Sequence, residues 1–391
     1  MSSHLVTNIG ELLTNDPTLG DESMVGRLTN AAIVIDDGVV AWVGSAAKAP
    51  SCDIADDVMG AAVLPGYVDS HTHLVFAGER SDEFEARMAG RRYDGGGIRR
   101  TVAATTAASR DTLLASTRQR LAALRRGGVT TVEMKSGYAL TVDGEARLVS
   151  IATELADEVT FLGAHVVPEE YATDREGYVA LVAGPMMAAC DAAAWVDVFC
   201  DEGAFSVDEA RHILTAAKHA NKQLRLHGNQ LGETGGVGLA VEMGCASVDH
   251  CTHVGDAELA LLGASSTVAT LLPSAEFSTK SPYPDAQRFL DAGVTVALAT
   301  DCNPGTSYVT SMGFVIALAV REMGMTVDQA AWSATMGGAR ALRRSDVGHL
   351  GVGARGDVVV VDAPRVAHVA YRPGSDLVAK VIHSGHRASA T

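Results

Sequence analysis

The 391-residue chain has no run of about 18 apolar residues, which excludes a membrane-spanning helix of ordinary length. Its first residues, MSSHLVTNIGELLTNDP, lack both a basic start and an apolar core. A secretory leader is therefore not expected, and a cytoplasmic protein is. None of its six cysteines forms a Cys-x-x-Cys pair, and Cys245 and Cys251 are too far apart for zinc-knuckle spacing. Small buried thiols in a reducing compartment are the expectation. Charge is scarce, at 20% of residues against 47% hydrophobic, which excludes a disordered tail or a collagen-like repeat. A chain this long can bury roughly three-quarters of its unfolded surface. Positive charge is scarcer still: 31 Lys and Arg against 47 Asp and Glu leave a net charge of −16. No global positive field exists to gather phosphates, so no nucleic-acid partner is expected. An anionic substrate has to be held by a few local cations.

Short β-type runs occupy both ends of the chain. Ala32–Ile35 and Val39–Val43 flank Asp36-Asp37-Gly38, a hairpin signal. Near the other end, Val358–Val361 follows Gly356-Asp357, and Val378–Ile382 comes after it. Between them, strand and helix patterns alternate. Eight apolar runs read as parallel strands: Ala62–Val68, Val129–Met134, Val159–Leu162, Trp195–Phe199, Gln223–Leu226, Ala246–Val248, Thr267–Leu271 and Val294–Ala299. A helical pattern over Thr112–Arg126 closes with Arg125 and Arg126 before Gly127-Gly128. Ser206-Val-Asp-Glu209 and Thr326-Val-Asp-Gln329 are capping boxes that open two more helices. The alternation predicts an α/β fold: a (β/α)8 TIM-type barrel over residues 61–344, with a small β-sandwich domain built from residues 1–60 and 345–391. In such a barrel the active site lies at the C-terminal ends of the strands.

Asp69-Ser-His71-Thr-His73 follows the first strand. Two residues apart on an extended segment, His71 and His73 point to one face. His227 follows strand five, Asp249-His250 strand six and Asp301 strand eight. Each alone reads as a solvated loop residue. Together they match a metal site of three His and one Asp, which leaves a divalent ion with net positive charge and room for water. A catalytic zinc lowers the pKa of its water from about 15.7 to about 7, so hydrolysis is the predicted reaction class. Strand four ends Phe199-Cys200-Asp201-Glu202, with no lysine to bridge two ions, and Lys135 ends strand two instead. One ion is predicted.

Val63-Leu-Pro-Gly-Tyr-Val-Asp-Ser-His71-Thr-His73, Asp301 after strand eight and Gly356-Asp357-Val-Val-Val together resemble the amidohydrolase superfamily. Four further segments resemble the imidazolonepropionase family within it. They are His71-Thr-His-Leu-Val-Phe-Ala-Gly-Glu-Arg80, Glu133-Met-Lys-Ser-Gly-Tyr138, Phe161-Leu-Gly-Ala-His165 and Asp301-Cys-Asn-Pro-Gly305-Thr306. The resemblance implies hydrolysis of 4-imidazolone-5-propanoate to N-formimidoyl-L-glutamate, with one zinc or iron ion held by His71, His73, His227 and Asp301. It also implies substrate contacts at Arg80, Tyr138, His165, Asn303, Gly305 and Thr306. A homodimer is expected on the same ground.

The chemistry of these residues suits a small anionic cyclic amide. Arg80 offers planar bidentate donors for its carboxylate; the alternative for Arg80 is an ion pair with Glu79 or Glu83. Asp301 is the expected acceptor of the water's proton. His250 is expected to orient the attacking water and stabilise the oxyanion, or else to be a structural imidazole near the site. Gln230 stands where many family members carry Glu. It can hydrogen-bond to substrate but cannot take a proton at neutral pH. The alternative activity is that of another mononuclear amidohydrolase, a cyclic-amide hydrolase or deaminase. Arg87–Arg100, with Gly95-Gly96-Gly97, reads as a cover over the site or as a surface loop.

Overall fold

The computed structural model describes residues 3–91 and 97–383. Five strands come first: β1 (His4–Leu13), β2 (Arg27–Asp36), β3 (Val39–Ser45), β4 (Ile54–Asp57) and β5 (Ala62–Pro65). Eight follow: β6 (Tyr67–Asp69), β7 (Val129–Lys135), β8 (Glu158–Ala164), β9 (Trp195–Cys200), β10 (Gln223–Gly228), β11 (Ser247–His250), β12 (Val268–Leu271) and β13 (Val296–Leu298). The chain closes with β14 (Val358–Val361) and β15 (Val378–Ile382).

Both ends of the chain build one seven-stranded sheet in the order β15-β14-β5-β1-β2-β3, with β4 beside β1. The expected hairpin joins β2 to β3. Asp37 and Gly38 there take φ of 48° and 80°, the positive values a two-residue turn matched to strand twist requires. Ile9, Leu12, Ile33, Val63 and Val360 belong to the buried cluster of this sheet.

The other sheet has eight strands, β6 to β13, in strict sequence order. Every pair from β7 to β13 is parallel. Sequential parallel pairing with intervening helices is the (β/α)8 arrangement. Past the strand ends, Asp301 N–H donates to the His71 carbonyl at 3.0 Å, and His73 N–H donates to that of Cys302 at 3.1 Å. This bridge draws the His-x-His segment and the aspartate after β13 to one place. The capping boxes at Ser206 and Thr326 are both formed, on helices Val207–His219 and Val327–Trp332. The pattern over Thr112–Arg126 lies in helix Arg110–Arg126.

One expected strand is corrected. Ala62–Val68 is not continuous: β5 belongs to the seven-stranded sheet and β6 to the eight-stranded one. The chain breaks at Pro65-Gly66, where a Cβ on Gly66 would lie 2.1 Å from Thr130 Oγ1. Only a residue without a side chain passes there.

Two compact units emerge. One comprises residues 1–69, 123–131 and 311–391, the other residues 70–122 and 132–310. Every residue expected at the active site falls in the second. Residues 92–96 of the expected cover lie outside the described residues. On its near flank, Arg87 is buried and donates to the Gly305 carbonyl at 2.6 Å, so it is no surface-loop residue. Among the described residues no helix is long and apolar enough to cross a membrane. All six cysteines are free thiols, and five are buried.

Candidate active site

Four side chains gather at the C-terminal ends of β6, β10 and β13, His227 within β10 and the others past β6 and β13. His73 Nε2 lies 3.2 Å from His71 Nε2 and 3.3 Å from His227 Nε2. Asp301 Oδ1 lies 3.5 Å from both His71 Nε2 and His73 Nε2. Ligand bonds of roughly 2.0–2.1 Å around a tetrahedral ion put ligand atoms about 3.3–3.4 Å apart. These four spacings come close to that, and the ligand atoms within 4.8 Å of one another fall into two overlapping groups, His71 with His73 and Asp301, and His71 with His227 and His250.

The outer ring nitrogens are directed as well. His71 Nδ1 donates to Asp249 Oδ2 at 2.7 Å, and His227 Nδ1 faces Asp197 Oδ2 at 3.0 Å. The carboxylate hydrogen-bonded to His71 Nδ1 fixes the tautomer that leaves its Nε2 lone pair facing inward. Burial first, then neighbouring cationic groups, hold His71 and His73 well below the ordinary imidazole range. They are neutral, as ligands must be. Burial pushes the Asp301 carboxyl well above its usual range, against hydrogen bonds from Asn303 and Thr306. A cation beside it favours the ionised form.

Charge in the interior points the same way. Glu133, Lys135, Asp197, Arg225 and Asp249 are all fully buried next to the cluster. With Asp301 they amount to four carboxylates and two cations, an excess of two negative charges that one divalent ion balances. Sequence reading passed over this layer. Its signal was a charge inside an apolar strand, two residues before a rim residue and so on the same face, as Arg225 stands to His227 on β10.

A cavity of about 390 Å³ opens onto the cluster, lined by His73, His227, His250 and Asp301. Arg80, Tyr138, His165, Gln230, Asn303, Gly305 and Thr306 also line it. Phe199 and Glu202 line it too, as does Arg99 from the segment read as a cover or a surface loop. Arg80 is 5% exposed and pairs with Glu83 through Nε at 3.0 Å and Nη2 at 2.6 Å. The ion pair and the place in the cavity thus coexist. Its Nη1 runs past Gly305, where a Cβ would lie 2.3 Å away.

His165 Nδ1 donates to the Gly137 carbonyl at 3.0 Å, and burial lowers its pKa to about 3. Its neutral Nε2 is an acceptor, on a ring stacked 5.3 Å from that of His73. Tyr138 is buried, its ring 5.8 Å from His73. Gln230 is half-buried, anchored by its backbone N–H to Asp201 Oδ2 at 2.6 Å.

Asn303 does something the sequence did not suggest. Its Nδ2 donates to the Asp301 carbonyl at 2.7 Å and to Thr306 Oγ1 at 2.8 Å. Its Oδ1 accepts from Gly305 N–H and Thr306 N–H, each at 2.8 Å. The amide is spent on holding the loop that presents Asp301. Thr306 Oγ1 in turn lies 3.4 Å from Asp301 Oδ2. His250 is buried, with burial first and then His227 holding its pKa well below the usual range. One of its ring nitrogens lies within 4.8 Å of ligand atoms of His71 and His227.

Residues 62–388 match the profile described as "Amidohydrolase family". The chain belongs to the amidohydrolase family. Amidohydrolase relatives span its whole length. It is 58% identical over 387 residues to the imidazolonepropionase of Mycolicibacterium smegmatis, covering 98% of this chain and 97% of that protein. It is 59% identical over 388 residues to that of Salinispora arenicola, covering 98% of each. Among solved structures, a mutant atrazine chlorohydrolase from Arthrobacter aurescens complexed with zinc and atraton superposes with a TM-score of 0.73 at 18% identity, covering 98% of this chain and 94% of that one. Guanine deaminase from C. acetobutylicum gives 0.72 at 15%, covering 98% and 99%. At such identities the likeness shows the amidohydrolase barrel and nothing finer. A divalent metal ion belongs to this family's site, and the donor set here fits one.

Proposed function

We propose that the chain hydrolyses 4-imidazolone-5-propanoate to N-formimidoyl-L-glutamate, using one zinc or iron ion held by His71, His73, His227 and Asp301. Full-length identity to imidazolonepropionases supports this reading. The observation that carries it is one cavity lined by His73, His227 and Asp301 of that ligand set together with the buried guanidinium of Arg80. A nucleobase carries no carboxylate and has no use for this cation. A substrate with a propionate tail does.

A divalent ion held by these residues would supply Lewis acidity, and catalytic zinc lowers the pKa of water from about 15.7 to about 7. The chain's own groups do the rest. Arg80 binds the propionate and fixes the ring's direction. His165, neutral at Nε2, and the Tyr138 hydroxyl hold the ring, and Gln230 adds an amide hydrogen bond. Asp301 takes the water's proton at Oδ2, the oxygen beside Thr306 Oγ1. Neutral His250 orients the water and donates to the oxygen that gains charge. The water oxygen bonds to the ring carbonyl carbon, and the bond from that carbon to the ring nitrogen breaks. The nitrogen takes the proton from Asp301. The old carbonyl becomes a carboxylic acid that ionises, its proton passing to the basic formimidoyl group, and the nitrogen keeps the formimidoyl carbon.

In this reading the barrel of residues 61–344 carries the chemistry and residues 1–60 and 345–391 form the accessory domain. The protein works as a homodimer in the cytoplasm. The direct test is loss of imidazolone absorbance on adding the chain, with formiminoglutamate identified as product. An unchanged spectrum at full metal loading defeats the proposal. Ammonia released from a nucleobase would favour the deaminase alternative.

A further inference from the structure

Lys135 closes β7 with no exposed surface. Its ammonium lies 3.0 Å from Glu133 Oε1, 2.9 Å from Asp197 Oδ2 and 3.9 Å from Asp249 Oδ2. Each of those carboxylates holds a different part of the ligand cluster. Asp249 accepts from His71 Nδ1 at 2.7 Å. Asp197 accepts from the His227 backbone N–H at 3.1 Å and faces its Nδ1 at 3.0 Å. Glu133 Oε2 accepts from the N–H of Thr72, between His71 and His73, at 3.1 Å. One cation, hydrogen-bonded to Glu133, ion-paired with Asp197 and farther from Asp249, therefore stands among the supports of three of the four ligands.

A buried ammonium is costly unless paired, and three carboxylates so close repel one another unless a cation stands among them. Pairing alone requires any one partner. Reaching three, on β7, β9 and β11, is what an aligning role requires. Arg225 adds a cation 3.2 Å from Asp249 and shares the neutralisation there.

We infer that Lys135 is a positioning residue for the metal centre: its ammonium aligns Asp249, Asp197 and Glu133, which aim His71, His227 and the His-x-His segment at one point. The inference rests on the four-ligand centre proposed above, and it concerns the aim of those ligands rather than their identity.

The test uses the full chain stripped of metal, as parent, as Lys135→Met and as the double variant Glu133→Gln/Lys135→Met. The double variant keeps the charge balance of the layer, and the amide at 133 still accepts from Thr72. Zinc affinity is read by competition with a chromogenic chelator, and ligand geometry by the visible absorption of the cobalt-loaded chain. Circular dichroism reports folding. The expected result is zinc binding weakened about 10- to 100-fold in both variants, with altered cobalt bands, while the chain stays folded. A folded double variant with the parent's zinc affinity and cobalt spectrum overturns the inference, because Lys135 then only neutralises Glu133. Failure of both variants to fold overturns it too, since the layer then holds the barrel rather than the ion. A parent chain that binds no zinc removes the centre itself, and the inference with it.

Discussion

Asp301 and His250 take left-handed backbone conformations, with φ of 51° and 80°. Residues with a Cβ are held there only where the surroundings enforce it, and such positions cluster at functional sites. For Asp301 the enforcing group is Asn303, whose amide is wholly used on the loop. His250 is the residue whose role divides two readings. If it orients water, His250→Ala lowers kcat by about 10²- to 10⁴-fold while bound metal, measured by atomic spectroscopy, stays near the parent level. Equal loss of both makes it a ligand. At Gly305 the crowding is steric: a methyl there falls 2.3 Å from Arg80 Nη1. Gly305→Ala is expected to raise KM several-fold and change kcat less, because it displaces Arg80, the proposed carboxylate-binding cation, and not the proposed reacting groups. Steady-state kinetics on the imidazolone decide it.

The elements show what was legible and what was not. Rim residues stand out in the sequence only as a set, because imidazoles and carboxylates after several strands of one barrel converge, while each alone reads as a solvated loop residue. His71, His73, His227, His250 and Asp301 were found that way. The division of Ala62–Val68 was hidden, because β5 and β6 are buried at every position and continuous apolar sequence carries no register. The three partners of Lys135 lie on β7, β9 and β11, and no local pattern joins them. Nor does sequence show that Asn303 bonds its own loop, since the same amide suits a ligand equally well. The break at Gly66 has a consequence that can be measured. Gly66→Ala drives a methyl into Thr130 and is expected to cost about 1–3 kcal/mol, lowering Tm by several degrees. An unchanged Tm would show that the two strands tolerate a continuous backbone.

At the scale of the whole molecule, a chain with net charge −16 lines the cavity over its histidine cluster with the buried guanidinium of Arg80. The stability of the fold also carries a buried titration. Burial lifts the Glu276 carboxyl from 4.5 to about 7, against hydrogen bonds from Thr252 Oγ1 at 2.6 Å and from its own backbone N–H. Its folded pKa lies above the unfolded one. The stability tied to its proton is fully present below about pH 4.5 and is lost as pH rises through about 7. Glu276→Gln is expected to flatten that slope and to stabilise the chain by up to about 3 kcal/mol at pH 8, at 1.36 kcal/mol per pKa unit. Urea denaturation between pH 5 and 8 measures it, and parallel curves for parent and variant would mean that Glu276 ionises freely.

The most direct measurement is turnover of the imidazolone as zinc is added back to the metal-free chain. Four converging ligands predict no turnover without metal, a linear rise, and a break at one equivalent per chain. A break at two equivalents, full turnover with none, or no turnover at any loading would contradict the account.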